Sequence, residues 1–175
     1  MKRIILGVCG SIAAYKSPEI VRRLKEKDWT VKVIMTKSAL KFISPLTLET
    51  VSENPVYIDM FEKNGWEISH ISLSDFADLI LVAPATANII GKIASGICDD
   101  LLTCTIIASN KKVIFAPAMN ENMWKNKIIQ ENVNKLKEKG YLFIGPEKGV
   151  LASGKIGIGR LAKIDTIVEF IEKLK

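Results

Sequence analysis

The chain has 175 residues, 48% of them hydrophobic, and a formal net charge of +6. That size and apolar content suit one compact unit over residues 1–175, and the first apolar stretch, residues 4–9, is too short for a signal-peptide core or a bilayer span, so a cytoplasmic protein without membrane contact is expected. The charge does not indicate nucleic acid: Arg22, Arg23, Lys25 and Lys27, and again Lys135, Lys137 and Lys139, alternate with apolar positions without interleaved aromatics, as solvated helix faces do.

Continuous apolar runs at 4–9, 31–35, 79–83, 113–116 and 141–144, separated by stretches of helical periodicity, predict parallel β-α units. Because these strands are apolar on both faces, helices should cover both, which gives a Rossmann-like, doubly wound, three-layer α/β/α fold. The first strand runs into Gly7-Val8-Cys9-Gly10-Ser11-Ile12-Ala13-Ala14-Tyr15-Lys16, a small-residue turn opening a helix, where free backbone N–H groups could meet a phosphate. The turn is neither Gly-x-Gly-x-x-Gly nor a Walker loop, and it reads equally as a tight turn capped by Ser11. The second strand ends in Thr36-Lys37-Ser38, without the acid that binds a dinucleotide's ribose. Hydroxyls and a cation favour a phosphate, so a mononucleotide such as FMN is expected in place of NAD or FAD, with the strand order assumed.

Farther along, Ser44-Pro45 reads as a helix cap followed by a first-turn proline. His70 is the single histidine and the side chain best suited to a proton shuttle near neutral pH, although position alone leaves it open as incidental. After the third predicted strand, Ala83-Pro84-Ala85-Thr86-Ala87-Asn88 offers small residues to a flat ring, or a turn in which Asn88 caps the helix that follows. Asp99-Asp100 reads as a cap and first-turn acid, not a catalytic pair. Cys9, Cys98 and Cys104 are odd in number and lack Cys-x-x-Cys spacing, which predicts reduced thiols in a core, with neither metal nor disulfide.

The run Pro117-Ala118-Met119-Asn120-Glu121-Asn122-Met123-Trp124 follows the fourth strand, where an Asn amide between two thioethers could hold a carboxylate or merely cap a helix. One long helix is expected from near Asn122 to Gly140. Residues 145–160, with glycines at 145, 149, 154, 157 and 159, show no apolar period and read as a functional loop. Asp165-Thr166 begins the final helix, up to Leu174.

Together, the Gly10–Lys16 turn, the Pro84–Asn88 loop and the Pro117–Trp124 run resemble the flavin-dependent, homo-oligomeric cysteine decarboxylases over essentially the whole chain. The resemblance implies a flavoprotein with FMN contacts at Gly10, Ser11, Ile12, Thr36, Ser38, Thr86, Ala87, Asn88 and Ala118. It implies His70 as the active-site histidine, Asn120 as the holder of the substrate carboxylate, and Met123 as a further substrate contact. The expected reaction converts phosphopantothenoylcysteine to phosphopantetheine in coenzyme A biosynthesis, through a thioaldehyde that turns the carboxylate into one β to C=S and an enethiol that is then reduced.

Expected partners are the small-molecule substrate, further copies of the chain as a trimer or a multiple of trimers, and a phosphopantothenate–cysteine ligase, fused or separate. Arg160 and Lys155 would suit the substrate phosphate, with a solvated surface equally open for Lys155. In the resembling enzymes a cysteine of the Gly-rich loop donates a proton in the reductive step, and here Ser153 stands in its place, a much weaker acid than a thiol. Ser153 is therefore the expected third catalytic position, acting through water or not at all. The alternatives are oxidative decarboxylation of a peptide's C-terminal cysteine, which the missing thiol favours, and a non-catalytic regulatory flavoprotein, which the retained His70 and Asn120 disfavour.

Overall fold

The structure is a computed structural model that describes residues 2–61 and 69–174. Its centre is a six-stranded, fully parallel sheet in the order β3-β2-β1-β4-β5-β6, made of β1 (Lys2–Val8), β2 (Trp29–Met35), β3 (Val56–Tyr57), β4 (Leu79–Ala85), β5 (Lys112–Pro117) and β6 (Leu142–Phe143). Parallel strands must be joined by crossovers, and among the described residues there are eight α-helices: α1 (Ser17–Lys25), α2 (Pro45–Ser52), α3 (Ser69–Phe76), α4 (Ala87–Ala94), α5 (Leu101–Ala108), α6 (Glu121–Lys125), α7 (Lys127–Glu138) and α8 (Ile164–Lys173). A two-stranded antiparallel hairpin, β7 (Glu147–Val150) and β8 (Ile156–Arg160), stands apart from the sheet.

Alternation along each strand sorts the core into two layers. Ile4, Leu6, Val31, Val33, Leu81 and Ile114 meet α1 and α8 through Ile20, Leu24, Ile167 and Ile171. Ile5, Ile34, Ile80, Val82 and Phe115 meet α3, α4, α5 and α7 through Leu73, Ile90, Leu102 and Leu136. Gly7 lets α5 close on the sheet, since a Cβ there would lie 2.6 Å from Leu102 Cδ1. The doubly wound architecture matches the reading from periodicity, and strand order reverses between β1 and β4, where such sheets open a crevice at their carboxyl ends. Among the described residues no helix is long and apolar enough to cross a membrane.

Several local expectations change. The helix expected from Asn122 to Gly140 is two helices, because Asn126 is extended (φ −60°, ψ 132°) and its Oδ1 accepts the Ile128 N–H at 2.9 Å, capping α7 afresh. Residues 145–160 carry the hairpin, not an irregular loop. Alternation in β8 is hidden because glycines occupy 157 and 159, where neighbouring chain leaves no room for a side chain. Only Cys9 is a buried thiol; Cys98 is exposed and Cys104 partly so, both near the turn between α4 and α5. Ser44 precedes α2, but its hydroxyl makes no capping bond, and Pro45 alone starts the helix. The basic clusters lie on solvated faces as expected, Arg22 pairing with Glu19 and Arg23 with Glu26.

Candidate active site

The ends of β1, β2, β4 and β5 surround a cavity of about 840 Å3. Nine residues singled out from sequence, Gly10, Ser11, Ile12, Thr36, Ser38, Thr86, Ala87, Asn88 and Ala118, all line it. Short bonds tie these loops together: Thr36 N–H donates to Val8 O at 3.0 Å, Cys9 N–H to Pro84 O at 3.3 Å and Ala118 N–H to Ala85 O at 3.0 Å. Ser11 uses its hydroxyl twice, accepting the Ala13 N–H at 3.3 Å and donating to Ala118 O at 3.4 Å, so its capping role and its place in the cavity coexist. Gly10 is required by proximity, for a Cβ there would lie 2.5 Å from Ser38 Cβ.

Thr86, not Asn88, caps α4, accepting the Ile89 N–H at 3.4 Å, which leaves the Asn88 side chain unused by the cap. Asp100 caps α5 in a reciprocal box with Thr103, while Asp99 precedes the helix; both acids bind Lys92, at 3.0 and 2.6 Å. The cap is thus Asp100, with neither acid in the first turn, and this ion cluster, not expected from sequence as cavity lining, borders the pocket. Lys37 is also committed, pairing with Asp59 at 3.3 Å. The Cys9 thiol lies in the cavity wall, where burial pushes its pKa up to about 12 against the opposing hydrogen bonds of Thr86, and it stays protonated at neutral pH.

A second cavity of about 530 Å3 adjoins the first, sharing Ser11, Ile12, Ala118 and Met119 as common lining. Asn120, Ser153 and Arg160, far apart in sequence, meet there. Asn120 is the cap of α6, its Oδ1 accepting the Asn122 N–H at 2.8 Å, and its Nδ2 has no partner among the described residues, so the amide donor stays free. Met123 lines the larger cavity and not this one, and Lys155 lines neither.

Lys16 carries no sequence signal that marks it for a site, since it does not follow a glycine as a Walker lysine would. It lines the second cavity beside Arg160, and burial followed by the Arg160 charge lowers its pKa against the opposing pull of Glu147. Two cations lining one pocket fit an anionic ligand group. His70 is not brought to either cavity: it lies on α3, and its buried Nδ1 has no partner among the described residues.

Fold and cavity together define the class, a doubly wound α/β protein with a nucleotide-sized pocket at the point where its strand order reverses. A model of the family described as Flavoprotein matches residues 1–175, and the chain belongs to that family. It is 49% identical over 170 residues to the coenzyme A biosynthesis bifunctional protein CoaBC of Borreliella burgdorferi, covering 97% of this chain and 44% of that protein. The chain therefore spans less than half the length of the bifunctional relatives it matches. A probable phosphopantothenoylcysteine decarboxylase of Streptococcus mutans is 44% identical, with 98% of each chain covered. Among solved structures, a PPC decarboxylase cysteine-to-serine mutant complexed with pantothenoylaminoethenethiol superposes with a TM-score of 0.88 at 35% identity, over 99% of this chain and 97% of that one. The FMN binding protein AtHal3 superposes with a TM-score of 0.85 at 35% identity, over 99% and 96%.

Proposed function

We propose that this chain is an FMN-dependent decarboxylase that converts phosphopantothenoylcysteine to phosphopantetheine and CO2 in coenzyme A biosynthesis. The observation that carries the reading is the pair of adjoining cavities. One is built from four strand-end loops rich in hydroxyls and small residues, and the other collects the free amide of Asn120 with Ser153, Arg160 and Lys16. The names of the relatives and structural neighbours point the same way.

The larger cavity fits FMN by its chemistry. The hydroxyls of Thr36 and Ser38 beside the Gly10–Ile12 turn suit the phosphate, and Ala87, Asn88 and Ala118 suit a flat ring. When bound, FMN supplies a two-electron acceptor that makes loss of CO2 from a cysteinyl carbon feasible and returns the electrons afterwards, so the net reaction is redox-neutral. The rest is assigned to the chain's own residues. Asn120 Nδ2 donates to the substrate carboxylate and restricts its rotation. Arg160 and Lys16 take the phosphate, Met123 packs where the two ligands approach, and His70 handles the thiol proton. Ser153, with no acidic thiol, passes a proton through water in the reductive step. Incubating FMN-loaded protein with phosphopantothenoylcysteine and weighing the products by mass spectrometry tests the reading, and it fails without release of CO2.

Ser153 also favours a second reading, oxidative decarboxylation of a peptide's C-terminal cysteine that stops at the enethiol. Faster turnover of such a peptide than of phosphopantothenoylcysteine selects it.

We infer further that the active unit is a homo-oligomer, a trimer or a multiple of trimers. His70 lies outside its own chain's cavities, and large apolar side chains at their mouths, Ile12, Tyr15 and Phe42, are exposed. Mixed oligomers of His70→Asn and Asn120→Asp protomers should then recover activity that neither variant has; no recovery excludes a shared site. A cytoplasmic location and a ligase partner, fused or separate, belong to the same proposal; the word bifunctional in the names of the longer relatives supports a second activity carried beside this one.

A further inference from the structure

The β7–β8 hairpin carries Ser153 at its turn and Arg160 at its end, yet a two-stranded hairpin is marginal by itself, and this one belongs to no larger sheet. Its free edge is held by the residues that flank Asn120. Met119 N–H donates to Gly159 O at 2.9 Å, and Glu121 Oε1 accepts the Ile158 N–H at 3.3 Å. Glu121, on the first turn of α6, is itself held by Lys125 Nζ at 2.8 Å. Two glycines make this approach possible. A Cβ at Gly157 would lie 2.6 Å from Glu121 Oε2, and one at Gly159, whose φ is +147°, would lie 2.1 Å from Met119 O.

We propose that Glu121 is a positioning residue, a carboxylate latch that fixes the hairpin to the Asn120 loop so that Arg160 and Ser153 share one cavity with the Asn120 amide. The latch rests on the decarboxylase reading for its catalytic meaning and on the geometry alone for its mechanical one. No hairpin residue lines the larger cavity, so releasing the latch should disturb substrate and spare flavin. A role in general folding would disturb both.

The test uses the FMN-loaded oligomer with Glu121→Ala, Glu121→Gln and Gly157→Ala. Loss of the carboxylate's hydrogen bond should raise KM for phosphopantothenoylcysteine about fivefold, with a smaller change in kcat and unchanged FMN affinity. Amide exchange in the 147–160 hairpin should quicken at the same time. Glu121→Gln keeps an acceptor oxygen and should recover most of the loss. Gly157→Ala pushes the carboxylate away and should reproduce Glu121→Ala, with the double variant no worse than either, the non-additivity of two changes to one contact. Wild-type KM and wild-type hairpin exchange in both Glu121→Ala and Gly157→Ala overturn the latch, as does equal weakening of FMN. If the parent protein turns over no substrate, the decarboxylase reading falls, and the exchange comparison still decides whether Glu121 holds the hairpin.

Discussion

Replacing Gly10 by alanine asks whether the loops after β1 and β2 must touch to shape the larger cavity. The added Cβ would sit 2.5 Å from Ser38 Cβ and 3.1 Å from the Ser38 carbonyl carbon. Neither atom can swing aside on a side-chain torsion, so relief requires the two loops to part by nearly an ångström. Such overpacking costs about 1–3 kcal/mol. Ser11, Ile12, Thr36 and Ser38 lie on these loops, so displacement falls on the proposed flavin contacts, and FMN affinity should drop by about 5- to 150-fold. Fluorescence quenching on FMN titration measures the affinity, and scanning calorimetry of the same samples measures the stability. Gly91→Ala is the control: it lies within α4, its Cβ would come no closer than 3.7 Å to Asn132 Nδ2, and helix propensity should make it stabilising by about 0.5–1 kcal/mol. Wild-type FMN affinity in Gly10→Ala, or equal behaviour of the two variants, refutes the reasoning.

Asp100→Ala removes the cap of α5 and should cost about 1–2 kcal/mol, seen as a fall in Tm of about 2–8 °C. Burial alone would raise the Asp100 pKa, but the Thr103 N–H and Lys92 outweigh it and hold the carboxyl below its ordinary value. A lowered folded-state pKa means that this contribution is complete above the ordinary carboxylate pKa, about 4, and is lost as pH falls through the lowered value. Melting curves taken on acidification should therefore show Asp100→Asn losing less stability than the parent; parallel losses contradict the assignment. Asn120→Asp keeps an oxygen to cap α6 but sets a negative charge against the substrate carboxylate, so Tm should hold while kcat/KM falls at least about tenfold. Undiminished turnover removes Asn120 from the mechanism. Ser153→Cys supplies a thiol of reference pKa about 8.5 in the second cavity and should shift the product ratio from enethiol towards the saturated thiol, read by mass spectrometry. An unchanged ratio means position 153 carries no proton.

Where the signal was local, it was legible. Five continuous apolar runs announced a covered parallel sheet, because a strand buried on both faces leaves no polar alternation. The loops after the first three predicted strands could be read as ligand-facing because ligands collect at strand ends, whereas the nine individual flavin contacts were implied by the family resemblance; all nine line one cavity. For Asn120 the sequence left a helix cap and a ligand contact as alternatives, and geometry shows the cap, made by the amide oxygen, with the nitrogen left free of it. The break at Asn126 escaped notice because the apolar period continues through it; capping a new helix in mid-pattern leaves no trace in periodicity.

What the amino-acid order determined unaided is five of the sheet's six strands, their helical cover and the presence of polar loops at their carboxyl ends, since these follow from hydrophobic period and turn chemistry within a few residues; the two-residue edge strand β3 is too short to leave a period, and the strand order had to be assumed. Tertiary structure alone decided which distant residues share a pocket. Lys16 joins Arg160, Glu121 reaches the backbone of Ile158, and His70 stays outside its own chain's cavities. The reason is physical: burial and strand period act along the chain and leave a pattern there, whereas a single hydrogen bond or a shared cavity wall acts across space and depends on crossings that no local rule encodes.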